Sequence, residues 1–164
     1  MTKRATISII NESIDSGEAL RIVNSVAGSN AACIERKVFY PYFWFSAACS
    51  APTPFGSKAI SAVCLVDACN GIGATSDPVI ARDTSVPADG MLIPRTDAGE
   101  EQRAAHRFLS HQLGRRLRTI GNFAVELEGH GLIHKAFWLI RCGGTVVMVD
   151  SLSGCLHSLG ERAA

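Results

Sequence analysis

Side chains that move protons, attack carbonyls or hold metals are the first place to look for chemistry, and this chain offers five histidines and six cysteines. His130 and His134 flank Gly131 in a segment that reads as a turn into a strand, so the helical i, i+4 metal geometry does not apply to them. Joined by Cys142 or Cys155 they would form a mixed His/Cys set, but no spacing in the chain matches a zinc-ligand pattern. His106 and His111 point well apart around a helix, and His157 stands alone. No Cys-x-x-Cys pair occurs, so Cys33, Cys49, Cys64, Cys69, Cys142 and Cys155 read as structural free thiols. Nucleophile elbows, phosphate-cradling glycine loops and His-Glu-x-x-His are all missing. Asp67 and Asp150 invite a paired-carboxylate reading, yet each precedes its own glycine and suits a tight turn better. The sequence therefore predicts no catalytic residue, no metal and no cofactor, and the chain reads as non-enzymatic.

Two stretches are better suited to contact than to catalysis. Arg103, Arg107, His111, Arg115 and Arg118 recur at helical spacing, opposite the apolar Ala105, Leu109, Leu113 and Leu117. Such a basic stripe suits phosphate, an anionic surface or an acidic partner. No aromatic residues interleave it, which weakens any case for stacking on single-stranded nucleic acid. Residues 39–45 hold more than half of the chain's Phe, Tyr and Trp. On a strand with Pro41 in register, Phe39, Phe43 and Phe45 take one face, while Tyr40, Tyr42 and Trp44 take the other as candidate interface aromatics.

The elements that must position these residues come in duplicate. Asp15-Ser-Gly-Glu18 and Asp97-Ala-Gly-Glu100 each read as a capping box opening a helix. Ala19, Ile22, Val23 and Val26 give the first apolar stripe, with Gly28 as its stop, and Ala105 to Ile120 give the second. Phe43-Trp44-Phe45 is matched by Phe137-Trp138-Leu139, making the two tryptophans equivalent core anchors. Val66-Asp67 followed by Gly71 is matched by Val149-Asp150 followed by Gly154. Strands are expected over 33–38, 39–48 and 59–67 in the first copy, and over 123–128, 132–141 and 145–150 in the second. Turns are expected at Gly129-His130-Gly131 and Gly143-Gly144.

This order predicts an α+β fold of two α-β-β(-β) internal repeats, antiparallel meanders with helices packed on one face. Residues 1–76 form the first repeat, 77–96 a surface connector without periodicity, and 97–164 the second. One cooperative unit is expected, because either copy alone is too small to hide its apolar strands.

A capped helix, an aromatic-Trp strand and a hairpin closing in Val-Asp-x-x-x-Gly resemble the PepSY domain pattern. The likeness is carried by residues 14–23, Phe43–Phe45 with Val66 to Gly71, and Trp138 with Val149 to Gly154. The resemblance implies a module that binds or restrains another protein, and it transfers no catalytic residue.

Composition narrows the field further. The chain has 164 residues, 47% of them apolar, and a formal net charge of +1, which excludes disorder and a protein built wholly around phosphate backbones. The longest apolar runs, such as residues 59–66, fall far short of the ~20 needed to cross a bilayer as a helix. The N-terminus starts like a signal peptide, but Ser8 and Asn11-Glu12-Ser13 break it, so a cytoplasmic location is expected. Together these features predict a small binding or regulatory protein working through protein contact, as a homodimer or with another protein. Binding of nucleic acid or another anionic surface through the 103–118 helix is the alternative.

Overall fold

The structure is a computed structural model that describes residues 2–117 and 124–159. It contains both helices and a mixed sheet and is an α+β fold. Among the described residues no helix is long and apolar enough to cross a membrane. The chain divides into two compact units, and these are not the two halves of the sequence. One gathers Met1–Tyr40, Ile80–Leu92 and His134–Ala164; the other gathers Pro41–Val79 and Ile93–Ile133.

The first unit contains β1 (Arg4–Ile10), α1 (Ser16–Ala27) and the opening of β2 (Cys33–Thr53). Later segments add β5 (Ala81–Pro87), the end of β6 (Ala124–Cys142), β7 (Thr145–Asp150) and β8 (Leu156–Ser158). Strand β1 runs antiparallel to β5 from Arg4↔Pro87 to Ile10↔Ala81, and meets β6 in parallel at Ile9↔His134. Strands β6 and β7 pair from Phe137↔Asp150 to Cys142↔Thr145. Their turn is Gly143-Gly144, where Gly143 takes φ 62°, a value L side chains rarely adopt. Helix α1 starts where the Asp15 carboxylate accepts the Glu18 N–H at 2.8 Å, and it stops at left-handed Gly28. The Glu18 side chain turns to Arg21, so the capping box is only half made. Ala19 and Val23 bury against Ile140 and Val149, with Trp138 beside them donating its Nε1–H to Ile14 O at 3.0 Å.

The second unit contains the rest of β2, then β3 (Gly56–Asp67), β4 (Gly73–Ser76), α2 (Ala98–Leu117) and the start of β6. Strands β2 and β3 form a long hairpin from Tyr42↔Asp67 to Thr53↔Gly56, β4 adds to β3, and β6 lies beside β2. Helix α2 opens where Asp97 accepts the Glu100 N–H at 2.9 Å. Its Ala105, Leu109 and Leu113 bury against Phe43, Phe45, Cys64 and Val66. Each helix therefore covers the hairpin that is distant from it in sequence: α1 covers β6–β7, and α2 covers β2–β3.

The two units share local detail. Asp67 Oδ1 accepts from Cys69 N at 2.8 Å and Asn70 N at 3.1 Å; Asp150 Oδ1 accepts from Leu152 N at 2.8 Å and Ser153 N at 3.3 Å. Ala68 O accepts the N–H groups of Arg95 and Thr96, and Ser151 O accepts those of Ser13 and Ile14, just ahead of the respective helix caps. This register corrects the alignment of the tryptophans. Tyr42 stands opposite Asp67 and Phe137 opposite Asp150, so relative to these aspartates Phe43, not Trp44, holds the place that Trp138 holds. A one-residue offset on a strand reverses the face. Trp138 accordingly packs under its helix, and Trp44 lies on the sheet face away from α2.

Two further expectations are corrected, at residues 129–131 and in the connector. Gly129-His130-Gly131 is no turn, because β6 runs through it. Gly131 takes φ 80° inside the strand, and a Cβ on Gly129 would sit 3.6 Å from the Phe45 ring. Pro41 does not break β2: Phe39, Pro41, Phe43 and Phe45 are buried while Tyr40, Tyr42 and Trp44 are half-buried. The Pro41 carbonyl is used by Ala68 N at 3.1 Å. The expected connector contains β5, β4 lies just before it, and Arg4–Ile10 forms strand β1. These short strands are specified by their partners more than by their own pattern.

Candidate functional site

Strand alternation that turns Phe43, Phe45 and Ala47 toward α2 leaves Ser46 and Ala48 on the opposite face of β2. Across the ladder they meet Val63 and Ser61 of β3, and Val63 in turn meets Ser76 of β4. These side chains are small, so the sheet face sinks into a groove of about 590 Å³. Asp77 and Pro78, following β4, form one wall. Glu126 and Glu128 of β6 form the other, on the strand face opposite the partly buried Val125 and Leu127. All three carboxyl-bearing residues are exposed. The five ion pairs among the described residues use none of them.

Beside the groove, Ser46 Oγ lies 2.7 Å from His130 Nε2, and the imidazole sits 4.6 Å from the Trp44 ring, tilted by 39°. The pair has the distance of a nucleophile and its base. Acyl transfer further requires a group orienting the base and donors aimed at a developing oxyanion. No carboxylate bonds His130 Nδ1 among the described residues. The Ser46–His130 contact thus places the imidazole beside Trp44, whose own Nε1–H is buried without a partner.

The basic stripe sits on the outer side of α2. Arg103, Arg107, His111 and Arg115 are all exposed, away from buried Ala105, Leu109 and Leu113; Arg118 lies outside the described residues. None of these arginines is in an ion pair among the described residues. The three candidate aromatics are half-buried on one alternation of β2. Tyr40 belongs to the first unit, edge-on to Phe137 at 6.3 Å, while Tyr42 and Trp44 belong to the second, where His130 covers Trp44.

Ionisable groups in the interior are each tied to structure. His134 is buried with Nδ1 3.3 Å from Ser8 O, and burial lowers its pKa against the opposing effect of that bond. Burial pushes the Cys49 thiol up, and the Cys64 thiol to about 11 against a bond from the Ala74 backbone, so both stay protonated and inert. All six cysteines are free. No cluster of three or more His, Cys, Asp or Glu able to hold a metal exists among the described residues. Glu101 is the exception to good pairing: it is 1% exposed, and its Oε2 has no partner. Burial raises its pKa, a Thr96 bond opposes this, and nearby Asp67, Glu100 and Asp97 add to the rise.

Sequence reading missed the Ser46–His130 pair because the two residues are far apart in the chain and belong to no motif. The legible signal was the small-residue alternation Ser46-x-Ala48 and Ser61-x-Val63, facing away from Phe43 and Phe45, with Glu126-x-Glu128 on a third strand. In comparisons with family models, curated proteins and solved structures, the chain matches no family model, no curated protein and no solved structure.

Proposed function

We propose that this chain is a small non-enzymatic binding or regulatory protein that acts through protein contact in the groove of its second unit. The observation that carries this reading is the groove itself: a floor of small side chains between two acidic walls whose carboxylates have no ion-pair partner among the described residues. Small residues let another backbone approach closely, and unpaired carboxylates select a cationic one. The duplicated Asp turns and their matching carbonyl bonds support two copies of one α-β-β unit, each helix packed on the other copy's hairpin. They also keep the likeness to PepSY-type modules, which bind or restrain other proteins, within this reading. Free thiols support a cytoplasmic site of action.

The test is fluorescence anisotropy with a labelled Ala-rich peptide of about 20 residues, long enough to be helical, carrying Arg at every fourth position. Binding to the intact protein, and its loss when Ala48→Trp fills the groove, supports the reading; Ala48 is exposed, so the fold tolerates the change. A peptide that does not bind, or that binds the Trp variant equally, overturns it. The exposed stripe Arg103, Arg107, His111 and Arg115 favours a second reading, contact with nucleic acid or another anionic surface. Duplex DNA that binds with a steep salt dependence, lost in Arg103→Glu/Arg107→Glu, would establish that reading.

A further inference from the structure

The second unit carries two unpaired charge sets on opposite sides of one sheet. Side chains that alternate toward α2 are Phe43, Phe45, Cys64 and Val66, and the helix they bury presents Arg103, Arg107 and Arg115 outward. Side chains that alternate the other way floor the groove between Asp77 and the pair Glu126 and Glu128. Within this unit the arginines along α2 and the carboxylates of the groove therefore lie on opposite sides of the sheet, while exposed Glu100 lies in the first turn of the same helix.

The spacings agree. Arginines four residues apart on a helix rise about 6 Å, from 1.5 Å per residue. Glutamates two apart on a strand are separated by about 6.6 Å. Arg103 and Arg107 of one molecule can therefore address Glu126 and Glu128 of another at the same time, each pair a charge-assisted contact.

We infer that the occupant of the groove is the outer face of α2 from a second copy of this chain. This rests on the groove reading above and names its partner. The geometry also fixes the kind of assembly. Because donor face and acceptor groove lie on opposite sides of the unit, one neighbour cannot satisfy both, as a two-fold dimer would require. The contact is heterologous, and association proceeds head to tail with a free groove at one end and a free helix at the other. The homodimer expected from the sequence is replaced by a concentration-dependent series.

Sedimentation velocity on the full chain tests this across protein concentration, at about 50 mM and about 500 mM NaCl, where the screening length shortens severalfold. The wild type should grow in mean mass with concentration at low salt and return to monomer at high salt. Glu126→Arg/Glu128→Arg and Arg103→Glu/Arg107→Glu should each stay monomeric, since each makes helix and groove alike in sign. Mixing the two variants should restore association, because every helix then meets a groove of opposite charge. All four positions are exposed, and the restored mixture shows that both variants are folded. A wild type that is monomeric throughout overturns the inference, as does a variant that associates like wild type or a mixture that stays monomeric. A monomeric wild type that still takes the arginine peptide overturns only the self-contact; one that takes neither overturns the groove reading as well.

Discussion

Glu101 offers the sharpest energetic test of the structure. It sits in the first turns of α2, 1% exposed, with Oε2 unpartnered and its pKa raised by burial. The corresponding place in α1 is filled by Ala19, fully buried and apolar. An unsatisfied buried polar atom costs about 1–3 kcal/mol, and more when charged. Replacement by an apolar residue of similar volume usually costs less than about 1.5 kcal/mol in repacking. Glu101→Met should therefore stabilise the protein by about 1–2 kcal/mol at pH 8, or raise Tm by roughly 2–8 °C for a chain of this size. The pH dependence follows from the raised acid. Between its ordinary value of 4.5 and its folded value, the native state binds more protons than the unfolded state. Wild-type stability therefore falls as pH rises through that window, and the variant lacks this loss. Urea unfolding at pH 8 and near pH 4.5 should show a large gain at the first and a small one at the second. A variant less stable than wild type at pH 8, or a gain that grows toward acid, would refute the assignment of Glu101 as a buried, poorly paired carboxylate.

Three more outcomes follow from individual contacts. Trp138→Ala should cost ~3–5 kcal/mol in urea unfolding, since the indole packs under α1 and donates to Ile14 O. Trp44→Ala should cost clearly less, because that ring faces away from α2 and its N–H is unpaired; equal costs would contradict the register. Gly73→Ala would place a Cβ 2.9 Å from Phe108 Cγ and should destabilise by about 1–3 kcal/mol, with an unchanged melting curve as the contrary result. Asp150, whose pKa burial would raise, is instead lowered by the Lys135 ammonium at 2.5 Å and the Leu152 and Ser153 N–H groups. Its contribution is present above the ordinary value near 3.8 and is lost as pH falls through the folded one. Asp150→Asn should cost about 1–3 kcal/mol at pH 7 and progressively less in acid, which pH-dependent urea curves would check.

Much of the fold is legible in local chemistry. Asp15 and Asp97 cap helices, Gly28 and Gly143 take positive φ, Asp67 and Asp150 close their own turns, and Pro41 leaves the β2 alternation intact. Each of these is decided within a few residues. What was not legible depends on distant partners. Strand β1 pairs with β5 along its length; its Thr6-Ile7-Ser8-Ile9 alternation looks like a broken leader, and β5 carries no comparable pattern. Gly129 and Gly131 look like turn residues, yet here both lie inside β6, Gly129 beside the Phe45 ring and Gly131 at a positive φ. Matching Trp44 to Trp138 by identity shifted the register by one residue and so reversed a face, an error only the Asp67 and Asp150 pairings expose. The groove follows the same logic: its floor was written in alternating small residues, but its Glu126–Glu128 wall comes from a strand far along the chain.

The claim that the acidic groove is a protein-binding surface is tested most directly by amide chemical-shift mapping of the full chain with the arginine peptide. Saturable shifts centred on Ser46, Ala48, Ser61, Val63, Glu126 and Glu128, absent in Ala48→Trp, are the predicted result. Shifts confined to other elements, or no shifts as the peptide is added in excess, would contradict it.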